Sequence, residues 1–200
     1  MIQLLLATCN PHKTREFVQS LGRNFTVQDL TSKSDAPAIV ESGITFEENA
    51  ALKAVTISKI FPNEIVVADD SGLEVKALGG APGVFSARYA GENANDNRNV
   101  EKLLRKLQGT RDRSARFYCV IALAKNAALM TTVAGEVVGT ITKSSRGENG
   151  FGYDPIFVPN GFSETFAELT PETKNKISHR AKAAAALLQY FNTALRSAEM

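Results

Sequence analysis

Tryptophan is absent from this chain, and cysteine and histidine occur only twice each in its 200 residues. Two cysteines, Cys9 and Cys119, do not make the disulfide framework of a small secreted scaffold. Together with His12 and His179 they offer no pattern for a zinc centre, so any metal here is expected to be held by oxygen ligands. Long apolar runs are missing as well. No stretch is long enough to cross a bilayer, and the opening "MIQLLLA" lacks the basic start and the length of a secretion signal. Neither sign of charge dominates: the net charge of +2 gives no footing for a nucleic acid or another polyanion. The most basic segment, "KLLRKLQGTRDR", reads as a solvated helix face and the loop after it. No Gly-Lys-Ser or Gly-Lys-Thr occurs, which excludes a Walker loop. What remains is an ordinary globular composition, 44% apolar and 22% charged. A single domain over residues 1–200 is expected, in the cytoplasm, with neither a membrane nor a nucleic acid as partner.

The periodicity gives a mixed α/β order. "IQLLLA" reads as a buried strand, and Asn10-Pro11 opens a helix that stops at Gly22. "FTVQDL" reads as a second strand. "ITFEENAALKAVTISKIF" is a helix with a capping box from Thr45 to Glu48, ended by Pro62. The apolar strand Ile65–Ala68 then meets Asp69-Asp70-Ser71-Gly72, and "LEVKAL" alternates as a half-buried strand. A helix over 96–107 presents Val100, Leu103, Leu104 and Leu107 on one face. "RFYCVIALA" and "ALMTTVAGEVVGTI" form an antiparallel pair joined near Lys125-Asn126. After a glycine-rich loop and the short strand "IFV", Thr170-Pro171 caps one long final helix. Its core stripe is expected to be Ile177, Ala181, Ala184, Leu188, Phe191 and Leu195.

Four places combine polar side chains with anion-binding backbone. In "ATCNPHKTRE" a strand runs into a helix start, whose unpaired N–H groups and positive dipole end suit a phosphate; Thr8, Asn10 and Lys13 add a hydroxyl, an amide and a charge. The plainer reading is a capped helix with a surface lysine. In "ESGITFEENAALKA", Glu48 is occupied by the cap and Glu47 faces solvent, which leaves Glu41 as a metal carboxylate. Lys53, one turn after Asn49, either points at a phosphate or is a solvated helix lysine. Asp69-Asp70 is either a turn, since Asp, Ser and Gly end strands, or a carboxylate set at a strand end for a hard cation. Magnesium takes one or two carboxylates beside waters and substrate phosphates, so Glu41 with one of the two aspartates would satisfy it. Finally, Gly147, Gly150 and Gly152 let "GENGFGYDP" bend close to a ligand, while Phe151 or Tyr153 offers a flat face to a base. Lys174, His179 and Arg180 could reach a base or phosphate, the last two reading equally well as a helix surface pair.

These motifs resemble those of the inosine triphosphate pyrophosphatase family, in the family's order and nearly end to end: "ATCNPHKTRE", "ESGITFEENAALKA", "VVADDSGLEVKALGGAPGVFSARYAG", "GENGFGYDPIF" and "KNKISHRAKA". The resemblance implies an α/β fold with a mixed sheet in two lobes and the active site in the cleft between them. It also implies a magnesium-dependent homodimer that hydrolyses ITP, dITP and XTP to the monophosphate and pyrophosphate. By position, Thr8, Cys9, Asn10, Pro11, His12 and Lys13 would hold the triphosphate with Lys53. Glu41 and Asp70 would serve the metal, and Asp70 would be the proton acceptor, with Ser71 binding substrate beside it. Phe151, Gly152, Tyr153, Asp154, Lys174, His179 and Arg180 would form the nucleotide and base pocket. Arg180 or His179 is expected to donate to the 6-oxo group that sets hypoxanthine apart from adenine. Lys76, Cys9 and Ser145 depart from the family pattern, and Lys76 replaces a more usual acid. The nearest alternative is a related pyrophosphatase of the septum-inhibitor (Maf-like) kind, acting on other modified nucleotides.

Overall fold

The computed structural model describes residues 1–33, 36–37 and 39–198, the last four of these by backbone alone. Six strands form one sheet in the order β2-β1-β3-β4-β5-β6. They are β1 (Ile2–Leu6), β2 (Phe25–Asp29), β3 (Ile65–Val75), β4 (Ser114–Lys125), β5 (Ala128–Ile141) and β6 (Phe157–Pro159). β1 runs parallel to both neighbours, with Ile2 opposite Phe25 and Leu4 opposite Ile65. Parallel neighbours need long crossovers, and two helices supply them: α1 (Pro11–Leu21) between β1 and β2, and α2 (Phe46–Ile60) between β2 and β3. β4 and β5 are joined by Asn126 and Ala127 alone, whose φ of 49° and 60° are those of a two-residue hairpin turn. β6 closes the edge antiparallel to β5. The remaining helices are α3 (Asp96–Lys106), α4 (Pro171–Ile177) and α5 (His179–Ala198).

Three of the readings are corrected. Asp69-Asp70-Ser71-Gly72 is not a turn between two strands: β3 runs unbroken for 11 residues through all four. Turn chemistry is outweighed because both carboxylates find cationic partners, described below, so the strand can carry them into the interior. The alternation expected of "LEVKAL" ends at Val75, and Lys76–Leu78 is a short 3-10 turn. The long final helix is in fact two, because Ser178 leaves the helix at ψ 159°. Serine is a mediocre helix-interior residue and a favoured helix start, and this one stands just before α5. The expected stripe is divided accordingly, with Ile177 on α4 and Ala181, Ala184, Leu188 and Phe191 on α5. Leu195 lies outside the described side chains.

The chain divides into two compact units, with β3, β4 and β5 passing from one to the other. The first comprises Met1–Asp70, Cys119–Gly135 and Arg180–Met200; its core is largely aliphatic, with Leu4, Leu6, Ile121, Leu123 and Leu187 around Phe17. The second comprises Ser71–Tyr118 and Glu136–His179, and its core sets an aromatic cluster, Phe117, Tyr153, Phe157 and Phe166, among aliphatic side chains. Phe117 lies edge-on to Phe157 at 4.8 Å and stacks on the imidazole of His179 at 4.7 Å.

Candidate active site

In the first unit, four elements deliver charge to one place. β3 brings Asp69 and Asp70, adjacent residues whose side chains leave opposite faces of a strand. α2 brings Asn49 and Lys53, which fall on its buried stripe of Phe46, Ala50, Ala54 and Ile57 and are themselves buried. α1 contributes Lys13 and Glu16, and the first turn of α5 contributes Arg180.

Asp69 is 2% exposed and belongs to one set of partners: Lys13 Nζ at 3.0 Å and an Arg180 N–H at 3.3 Å. The other end of the same guanidinium donates to Glu16. Burial pushes the Asp69 carboxyl up, yet Lys13, then Arg180 and Lys53, overcome this and hold it well below the ordinary 3.8. Arg180 is the mirror case, with burial opposing its charge and Asp69 and Glu16 more than restoring it.

Asp70 belongs to another set. One carboxylate oxygen accepts from the Asn49 amide at 3.0 Å, and the other lies 3.6 Å from Lys53 Nζ. The Lys53 ammonium also donates to Glu41 at 2.5 Å, so Glu41 and Asp70 meet at a single cation. Burial raises the Asp70 carboxyl above its ordinary value; Lys53 opposes that and Glu41 adds to it. Lys53 is raised: burial alone would lower it, and Asp69, Asp70 and Glu41 prevail. It is not the solvated helix lysine that periodicity allowed.

The helix start behaves differently from expectation. Asn10 Oδ1 accepts the N–H groups of His12 at 2.9 Å and Lys13 at 3.4 Å, Pro11 has none, and the N–H of Asn10 itself donates to Thr8 Oγ1. The first-turn donors expected for an anion are therefore taken up within the loop. What the segment still offers is the dipole end of an 11-residue helix and the Lys13 ammonium. Cys9, Pro11 and His12 are exposed along it, and Thr8 and Asn10 are half-buried. Ser71 follows Asp70 on β3 and is half-buried.

In the second unit the glycine-rich loop is built around Asp154. Its carboxylate accepts the Phe151 N–H at 2.8 Å and the Lys174 ammonium at 2.6 Å, both residues of the ion pair being buried. Gly150 is obligatory beside it: at φ 77°, a Cβ would stand 2.1 Å from Asp154 Oδ2. Lys174 also lies 4.9 Å from the centre of the Phe151 ring. Phe151 is half-buried, but Tyr153 is not a platform for a base. It is 4% exposed, and its hydroxyl donates to the Ser86 carbonyl at 2.9 Å.

His179 and Arg180 are not a surface pair. Both are buried, the imidazole within the aromatic core of the second unit and the guanidinium in the ion network of the first. Arg180 thus does not stand as an uncommitted donor for a base. Glu16 and Asn49 are the residues that sequence reading passed over. Asn49 had a legible signal, a polar residue on the apolar stripe of α2, one turn from Lys53. For Glu16 there was only the carboxylate three residues after Lys13. Lys76, the charge-reversed departure, is exposed and pairs with Asp112 at 3.5 Å.

The donor set can be tested against magnesium. Among the described residues no cluster of three or more His, Cys, Asp and Glu gathers. Magnesium takes one or two carboxylates, keeps waters and completes its shell with substrate phosphates. Glu41 and Asp70 present only oxygen and already share one cationic group, so they fit.

Comparison with known proteins agrees along the chain. A dITP/XTP pyrophosphatase of Bacillus licheniformis is 52% identical over 186 residues, which cover 92% of this chain and 94% of that protein. The Bacillus subtilis protein of the same name is 48% identical, covering 92% and 93%. The solved structure of the Staphylococcus aureus Ham1 protein superposes with a TM-score of 0.86 at 42% identity, covering 96% of this chain and 98% of that one. The family model described as "Ham1 family" matches residues 4–190, and this chain belongs to that family.

Proposed function

We propose that this protein hydrolyses dITP, ITP and XTP to the nucleoside monophosphate and pyrophosphate, and so clears deaminated purines from the nucleotide pool. The observation that carries the reading is its nearly full-length identity, about one half, to proteins named dITP/XTP pyrophosphatase. In this reading it works in the cytoplasm as a homodimer, a state supported by the family resemblance; among the described residues no helix is long and apolar enough to cross a membrane.

The residues divide the work. Thr8 to Lys13 and Lys53 hold the triphosphate, with Ser71 next to the reacting centre. Phe151, Gly152, Asp154, Lys174 and His179 shape the nucleotide end. Glu41 and Asp70 hold magnesium, which when bound supplies positive charge to the phosphate oxygens as a Lewis acid. A water oxygen attacks the α-phosphorus as the bridging bond to the β-phosphorus breaks, and pyrophosphate departs. Asp70 is the proton acceptor that the family resemblance assigns. Lys53 and Lys13 offset the negative charge that collects on the leaving pyrophosphate.

A buried donor paired with the 6-oxo group is left unpaired by adenine, a strong basis for rejection. With Arg180 held by Glu16 and Asp69, His179 is the donor this reading assigns. The test is pyrophosphate release with magnesium from dITP, ITP, XTP, dATP, dGTP and dUTP. The expected result is a preference for the first three of about 100-fold or more in kcat/KM. Equal rates across the panel would return the case to a pyrophosphatase for other nucleotides.

A further inference from the structure

The glycine-rich loop is pinned at three successive residues. Phe151 N–H goes to Asp154, Tyr153 hydroxyl goes to Ser86, and between them Gly152 N–H donates to Asp96 Oδ2 at 2.7 Å. Asp96 is the first residue of α3 and is exposed. The same helix grips a second loop. Asn99 accepts from Ala90 N–H at 2.7 Å and donates to the Ala87 carbonyl at 2.9 Å, and the Lys102 ammonium donates to the Tyr89 carbonyl. α3 is therefore the bracket of this region, and its core face, Val100 and Leu103, anchors it in the second unit.

We propose that Asp96 is a positioning residue for substrate binding: through Gly152 N–H it sets the loop that receives the nucleotide end. The proposal rests on the function proposed above, in which Phe151 to Asp154 meet the nucleotide. Gly152 is left-handed at φ 62°, with no side chain of its own to hold it, so the loop is fixed at that residue through its backbone, and its N–H is held by Asp96. Asp96 reaches it from outside the core, and removing its side chain leaves no cavity. Asp154 and Tyr153, by contrast, cannot be changed without disturbing buried structure.

The test compares wild type, Asp96→Ala and Asp96→Asn in dITP turnover, in inhibition by tripolyphosphate, and in amide hydrogen exchange at Gly152. Asp96→Ala is expected to raise KM for dITP about five- to tenfold, the scale of one hydrogen bond, with kcat little changed. Tripolyphosphate, which lacks a base, should inhibit all three alike, and Gly152 should exchange faster only in Asp96→Ala. Asp96→Asn keeps an accepting oxygen and should match wild type. A wild-type KM in Asp96→Ala overturns the proposal, whether or not Gly152 exchange speeds up. Equal impairment of the asparagine variant overturns it too, because charge and not the hydrogen bond would then be at work. Should wild type not turn over dITP at all, the functional reading fails separately. Gly152 exchange then decides alone whether Asp96 holds the loop, and unchanged exchange refutes it.

Discussion

Both units bury charge, but in different amounts and to different ends. In the first, Asp69 alone answers to Lys13, Arg180 and Lys53, while Asp70 and Glu41 gather at the same Lys53 and Asn49 donates to Asp70. In the second, one carboxylate meets one ammonium, Asp154 and Lys174, inside an aromatic core. A network of several charges creates a field, which is what a triphosphate and a hard cation require. A single pair with a backbone N–H on the same carboxylate fixes a loop's shape. The contrast shows that buried charge, taken alone, does not identify a reacting centre; the number and sign of the neighbours do.

That contrast can be broken from either side. The largest effect on stability is expected for Arg180→Ala, which takes a buried cation away from two carboxylates, Asp69 and Glu16. A loss of about 4 kcal/mol in urea unfolding is expected, and a loss under about 1 kcal/mol would show that the network does not depend on it. Lys174→Met strands only Asp154 and should cost about 3 kcal/mol. The double change Asp154→Leu with Lys174→Met should recover part of that loss while leaving the loop misplaced, because two apolar side chains replace both charges at once. No such repair is expected from replacing Asp69 and Arg180 together, where Lys13 and Lys53 would remain.

The smallest effect is the response to acid. Asp69 has a lower carboxyl value folded than unfolded, so its stabilisation is fully present above about pH 4 and is lost as the pH falls below that. Asp70, raised by burial, acts in the opposite sense and gains nothing from being charged in the fold. Between pH 5 and pH 3 wild type should lose about 1 kcal/mol more than Asp69→Asn. Parallel pH profiles for the two would remove Asp69 from its role as counter-ion.

Much of this architecture could be read from residue order. Capping at Asn10 and Thr45, the stripe of α3 and the β4–β5 hairpin follow from local rules, and the structure has them. What could not be read depended on partners distant in sequence. Asp69-Asp70-Ser71-Gly72 has the composition of a turn, and only Lys13, Lys53 and Arg180, brought in from three helices, let the strand continue. Tyr153 looked like a stacking platform until Ser86 was found holding its hydroxyl. Ser178 divides the last helix, and periodicity that runs smoothly across it gave no warning. The same limit applies to the candidate site: residue types were legible, but which of them are committed to one another was not.

In the proposed reaction, two adjacent aspartates on one strand do different things, Asp69 as counter-ion and Asp70 as base. The direct measurement is pyrophosphate release from dITP by Asp70→Asn beside wild type, together with each protein's thermal midpoint. A fall in kcat of about a thousandfold, with a midpoint equal to or above that of wild type, is the expected result, because Asp70 is charged there at the expense of burial. Activity within about tenfold of wild type would contradict the account and take the proton acceptor elsewhere.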